Sequence, residues 1–290
     1  MSTLPEIAVA EQPDLHRLNV PAYSTEPAKN PPWTLLAAVA TWIASVVLLF
    51  LPQLIAIPYL AAHYRGTRPT TEILLADKTL ILILVSGVFP AHLITLFIVW
   101  AVATRLGKFS SIQTLGLTWN GRIRLWQSVG LALILYVAAF LLTLAFGGQG
   151  TALDRLVESS RAAALIIAFL AVATAPLVEE CIYRGILYPA IERTAGAKAA
   201  VVLVTLLFAV PHVPQYWPNI GVISSITLLS VVLTVVRART GRLLPCFVIH
   251  LAFNGIQSVI ILLEPYLRAA VETMKHGSAG GAVTSFPFLH

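Results

Sequence analysis

The chain has 290 residues, 58% hydrophobic and 11% charged, with a formal net charge of +6. A soluble domain is about 45–50% apolar and about 25% charged. This chain cannot cover a folded surface with polar groups, which excludes a soluble globular enzyme and a chain that is disordered for most of its length. Two cysteines, Cys181 and Cys246, exclude a disulfide framework and a Cys-type zinc site. The positive charge does not indicate nucleic acid, because most Lys and Arg fall between hydrophobic runs, where they set membrane orientation.

What remains is a polytopic membrane protein. Its apolar runs are too long and too even for barrel strands, so the expected fold is an all-α transmembrane helical bundle of about seven to eight spans. Residues 1–32 hold six of the eighteen prolines and no long apolar run, and read as a disordered N-terminal tail. They lack the basic start, apolar core and cleavage site of a signal peptide. A transmembrane domain is expected over 33–263. Its first run, about 33–61, opens with Trp33 and is interrupted by Pro52 and Pro58. The second run covers about 79–104 and the third about 125–146. The fourth starts near Arg161 and keeps a helical pattern to about Arg193. The remaining three cover about 197–212, 219–236 and 243–263. Residues 264–290 read as a C-terminal tail containing a surface helix.

With seven spans, eleven Lys and Arg fall on one side and seven on the other. The richer side reads as cytoplasmic and receives the N-terminus. The expected location is therefore integral to a membrane, the bacterial plasma membrane, with the N-terminus inside.

Charges within spans are costly, roughly 2.5–3.5 kcal/mol each at a helix centre on insertion scales. Only residues 175–185, Ala-Pro-Leu-Val-Glu-Glu-Cys-Ile-Tyr-Arg-Gly, hold several charges deep in an apolar pattern. Glu180 and Arg184 stand four apart, acid first, the favourable order for a same-face pair. Glu179 points ~100° away around the helix and has no sequence-local cation. One carboxylate is compensated and the other is left for general acid–base work. The plain alternative is the charged end of a long helix. Phe208-Ala-Val-Pro-His212 closes the fifth run, and a His bonded to backbone at a helix end is its plain reading. His250 and Asn254 share one face in the seventh run, where an interhelical polar contact is the plain reading. Taken together, Glu179, His212, His250 and Asn254 come from three helices and could meet in one cavity as base, proton shuttle and oxyanion donors. One distance fits poorly. Glu179 and His212 each lie ~21 Å from a hairpin tip near 193–198, whereas His250 lies only ~10 Å into its helix.

Glu-Glu-x-x-x-Arg at 179–184, Phe-x-x-x-His at 208–212 and His-x-x-x-Asn at 250–254 resemble, in order, the signature of the CPBP family. That family comprises the CAAX prenyl endopeptidases and the bacteriocin-processing, or Abi, proteins. The resemblance spans roughly 160–263, with Leu-Gly-Leu at 115–117 as an upstream echo. It implies an intramembrane endopeptidase. It maps Glu179 to the water-activating glutamate, His212 to its partner, and His250 with Asn254 to the oxyanion pair. Glu180 and Arg184 become a supporting ion pair. No metal is expected, because His-Glu-x-x-His is missing and a zinc site would need one Glu and two His from separate helices. The expected partners are the bilayer and a peptide or protein substrate, lipidated or not, with no nucleic acid. The alternative function is a non-catalytic membrane protein, an immunity factor, scaffold or small transporter, whose polar cluster is structural. Cys181 reads as a small core residue, Ser224 and Ser225 as helix packing, and His63 and His92 are assigned no chemistry.

Overall fold

The computed structural model describes residues 31–277. The expected N-terminal tail, apart from its last two residues, lies outside them, as do residues 278–290. Among the described residues every regular element is helical. Among the described residues, six helices are long and apolar enough to cross a membrane.

The first expected run is two helices, α1 (Leu35–Leu48) and α2 (Leu51–His63). The break falls just before Pro52, which stands in the first turn of α2, where its missing N–H costs nothing. Pro58 stays inside α2. The short α3 (Thr71–Ala76) leads into α4 (Lys78–Thr104), whose N-terminus is capped by the Asp77 side chain. A short α5 (Ser111–Leu115) precedes α6 (Leu125–Phe146), which matches the third run. After the surface helix α7 (Ala152–Ser159) comes a continuous helical run from Arg161 to Tyr216, 56 residues long. Straight, it would be ~84 Å, far more than a bilayer needs. It folds back at Gly196, whose φ of 81° and ψ of 164° lie outside the helical region. The expected fourth and fifth runs are the two arms of this folded helix. The outgoing arm contains α8 (Arg161–Phe169), α9 (Ala175–Glu180) and the start of α10 (Tyr188–Ala209), and the short α11 (Val213–Tyr216) ends the returning arm.

The chain continues as α12 (Ile220–Thr240) and α13 (Leu244–Gly277). The last helix does not stop at 263. It continues past Pro265 into the segment read from sequence as a separate surface helix. Helices α6 and α12 approach closely at Gly221, where a Cβ would stand 2.7 Å from the Thr143 Cα. The Ser225 hydroxyl bonds Gly221 O and reaches Ala139 O on α6, the packing role expected of it.

Large apolar side chains such as Leu36, Leu54, Phe97, Trp126 and Ile134 are exposed on the outside. An outward apolar surface around satisfied helices is what lipid requires. Trp33 is buried and donates from its indole to Ile186 O at 3.0 Å, latching the chain's entry to the outgoing arm. The tip around Gly196 is exposed, whereas the turn between α12 and α13 is exposed only at Gly241. Leu243 is fully buried, and its N–H donates to Gly116 O at 2.8 Å. Gly116 has φ of 76°, and a Cβ there would press on Arg237 and Gly241. The helix bearing His250 therefore starts from a largely buried turn rather than from an exposed tip.

Candidate active site

Two π-turns shape the outgoing arm. The first, Leu170–Thr174, carries the Ala175 N–H to Leu170 O, one residue further back than an α-helical bond. Pro176 follows and has no N–H to give. A π-turn inserts an extra residue, so everything beyond it is rotated by ~100° relative to an uninterrupted helix. The second π-turn, Cys181–Leu187, carries Arg184. Glu179 and Glu180 sit between the two turns and point in different directions.

Glu180 and Arg184 are fully buried and paired, Nη1 to Oε1 at 2.9 Å. The guanidinium spends its other donors on α12: Nε on Thr234 Oγ1 at 3.2 Å, and Nη2 on Ser230 O at 3.0 Å and Ser230 Oγ at 2.8 Å. Its Cζ lies over the Phe208 ring, 4.6 Å from the centroid. Phe208 is itself buried and touches Tyr183, His212 and His250 edge-on or face-on. It fills the space between the ion pair and the imidazoles. Its role in the Phe-x-x-x-His pattern is this wedge.

Glu179 faces the other way. Its carboxylate is 24% exposed, against none for Glu180. One oxygen lies 4.0 Å from His212 Nε2 and the other 3.7 Å from His250 Nε2. The three groups converge on one point from α9, the 3-10 turn Val210–His212 and α13. Both rings are oriented from behind. His212 Nδ1 lies 2.7 Å from Phe208 O. A carbonyl only accepts, so Nδ1 carries a proton and the neutral ring presents a lone pair at Nε2. His250 Nδ1 lies 2.9 Å from Glu180 Oε1, the oxygen that also takes Arg184. Glu180 thus positions His250 as well as pairing Arg184.

Asn254 lies one turn beyond His250 on α13, and its Nδ2 donates to Ala171 O at 2.9 Å. Ala171 is five residues before Pro176, so its carbonyl is the one that the proline leaves without a π-type partner. Asn254 fills that gap with one of its two amide protons. His92, set aside on sequence, lies here too. It is buried on α4, and its Nδ1 is 2.7 Å from Thr174 Oγ1 in the same π-turn. Ser230 and Thr234 were also missed. In a helix of apolar and hydroxyl residues, nothing marks the two that face an arginine.

Residues 161–256 match the family model described as type II CAAX prenyl endopeptidase Rce1-like. The chain carries an Rce1-like domain. No curated protein and no solved structure matches the chain. The Rce1-like segment begins with the outgoing arm and ends just past Asn254, so it contains every one of the six site residues expected from sequence. His92 falls outside it. Cys181, inside it, is buried in the main core, in keeping with its reading as a packing residue.

Among the described residues, no group of three His, Cys, Asp or Glu side chains is arranged to hold a metal ion. Within the Rce1-like site, His250 Nδ1 is turned to Glu180 and His212 Nδ1 to backbone, so only the two Nε2 atoms and Glu179 face one another.

Proposed function

We propose that the protein is an intramembrane endopeptidase acting on membrane-associated, CAAX-type substrates, with Glu179 as the base that activates water. The observation that carries this reading is the placement of the Glu179 carboxylate between the Nε2 atoms of His212 and His250, at 4.0 and 3.7 Å. These separations are too long for direct hydrogen bonds. They are short enough for one water to touch the carboxylate and a ring together.

In the proposed reaction, Glu179 takes a proton from water as its oxygen bonds to the scissile carbonyl carbon. The carbonyl becomes an oxyanion. His212, with its lone pair facing Glu179, steadies the water and shares the proton. Collapse of the tetrahedral intermediate breaks the C–N bond, and the proton held by Glu179 passes to the leaving amine. His250 stabilises the oxyanion from Nε2. With Nδ1–H held by Glu180, the ring must carry both protons to donate there, and the oxyanion itself is the anion that this donor meets once Glu179 has taken the water proton. The second amide proton of Asn254 is assigned to the same oxyanion. No metal takes part in these steps. The protein is proposed to lie in a bacterial plasma membrane with its N-terminus cytoplasmic.

The test is cleavage of a fluorogenic peptide panel, with and without a prenyl group, by purified protein in vesicles. Glu179→Gln serves as the blank. Turnover above that blank is expected. Folded wild-type protein that cleaves nothing above it overturns the reading and leaves the polar cluster as a structural network.

A further inference from the structure

The turn that aims Glu179 is held from both sides. From α13, Asn254 Nδ2 takes Ala171 O. From α4, His92 Nδ1 takes Thr174 Oγ1 at 2.7 Å. The Thr174 hydroxyl also reaches back to Leu170 O at 3.3 Å, the same carbonyl that receives the Ala175 N–H. A hydroxyl has one proton. With that proton on Leu170 O, Oγ1 accepts from His92 Nδ1–H. The imidazole is thus the outer end of a chain, His92 to Thr174 to Leu170 O, that closes the π-turn.

Closing it matters because π-turns are rare, are mostly single turns inside α-helices and are frequent at functional sites. Relaxation of Leu170–Thr174 to α-helical bonding would rotate α9 by ~100° about its axis. Glu179 would then leave the point where His212 and His250 converge. His92 is a costly residue to bury among apolar helices for packing alone.

We propose that His92 is a positioning residue that acts through Thr174, holding the π-turn that directs Glu179 at His212 and His250. This rests on Glu179 being the base, as proposed above.

The experiment compares wild type, His92→Ala, Thr174→Val, the double variant, His92→Asn and His92→Gln in vesicles. Turnover is scored per folded molecule. The Asn amide stands where Nδ1 stands, and the Gln amide stands where Nε2 stands. His92→Ala and Thr174→Val are each expected to lower kcat about 10²-fold with KM unchanged, the scale of a misplaced catalytic group. The double variant should be no worse than either. His92→Asn should recover most of the loss and His92→Gln little. Thr174→Val keeps the side-chain shape and decides the matter if His92→Ala does not fold. A second readout needs no substrate: the rate at which a hydrophobic carbodiimide labels Glu179, located by mass spectrometry. It should change in parallel in His92→Ala and Thr174→Val and stay at the wild-type rate in His92→Asn.

Lower melting temperature with unchanged turnover and unchanged labelling overturns the proposal and leaves a packing contact. Rescue by Gln but not Asn also overturns it, because the active face would then be Nε2. If wild type turns over no faster than Glu179→Gln, the protease reading fails, and the labelling pattern still decides whether His92 holds Glu179 in place.

Discussion

His250 and Glu180, 70 residues apart, meet through Nδ1 and Oε1 at 2.9 Å with both side chains buried. This contact separates the work of two adjacent glutamates. Glu180 is the fixed anion behind the site, shared by Arg184 and His250. Glu179 is the partly exposed one in front, with the His212 and His250 Nε2 atoms near its two oxygens.

The two glutamates are therefore expected to fail differently. Glu179→Gln should abolish cleavage while the protein still inserts and melts like wild type. Glu180→Gln leaves the Arg184 charge buried without its counter-ion, a loss of roughly 3–5 kcal/mol. It should lower folded yield and melting temperature first. Activity per folded molecule, measured beside a detergent melting curve, checks both. A well-folded, inactive Glu180→Gln together with an active Glu179→Gln would reverse the assignment.

Arg184→Lys tests the same anchor from the other side. The guanidinium serves Glu180, Thr234 and Ser230 at once and lies over the Phe208 ring. An ammonium has no planar fork and cannot make this set of contacts together. Arg184→Lys should melt well below wild type although the charge is kept. A melting temperature within a degree or two of wild type would show that charge alone is what the site needs.

The sequence made the local part of this site readable and hid the rest. Glu180 with Arg184, and His250 with Asn254, follow from helical spacing, because partners four apart share a face whatever the tertiary fold. The paired boundaries of α4 and α6 follow from apolar run length. The π-turns are not legible in this way, since an inserted residue changes the face without changing composition. His92 could not be tied to Thr174 because their contact spans 82 residues and neither stands in a polar pattern. One signal was present in Pro176. A proline at 176 frees a carbonyl one turn back, at Val172 in a regular helix, so a donor from a neighbouring helix is expected near that turn. The π-turn moves the gap to Ala171, where Asn254 meets it.

Acid sensitivity is expected from a different region. Asp77 caps α4 through the Leu80 N–H and accepts the hydroxyls of Tyr59 and Tyr64, both at 2.9 Å. Burial acts to raise its carboxyl, but the Leu80 N–H and the two hydroxyls outweigh this and hold it below the usual carboxylate range. A lowered native value means that the unfolded chain binds the proton more readily. The stabilisation is then complete above about pH 4, the ordinary Asp value, and is lost as pH falls through the lower native value. Asp77→Asn should melt lower at neutral pH and lose less on acidification. Parallel melting curves from neutral to strongly acidic pH, differing by a constant offset, would refute this.

Metal removal gives a direct outcome. Cleavage is expected to survive exhaustive chelation, with no stoichiometric zinc in the purified protein. Loss of activity on chelation, restored by added zinc, would recast Glu179, His212 and His250 as ligands and end the glutamate-only mechanism.

Asn254 is assigned two tasks in the proposed reaction, and its variants separate them. One amide proton holds Ala171 O, so Asn254→Ala leaves a carbonyl in the π-turn without a donor. A lost partner for a buried group costs about 1–3 kcal/mol, and the melting temperature should fall. The other proton is assigned to the oxyanion, and removal of one such donor lowers kcat ~10²–10³-fold. Asn254→Ala should therefore lose both stability and kcat, with little change in KM, because the donor acts mainly in the transition state. Asn254→Asp should be worse on both counts. An ionised carboxylate cannot donate to Ala171 O and repels the developing negative charge. If the folded fraction of Asn254→Ala turns over at the wild-type rate, Asn254 serves the turn alone, and the oxyanion rests on His250.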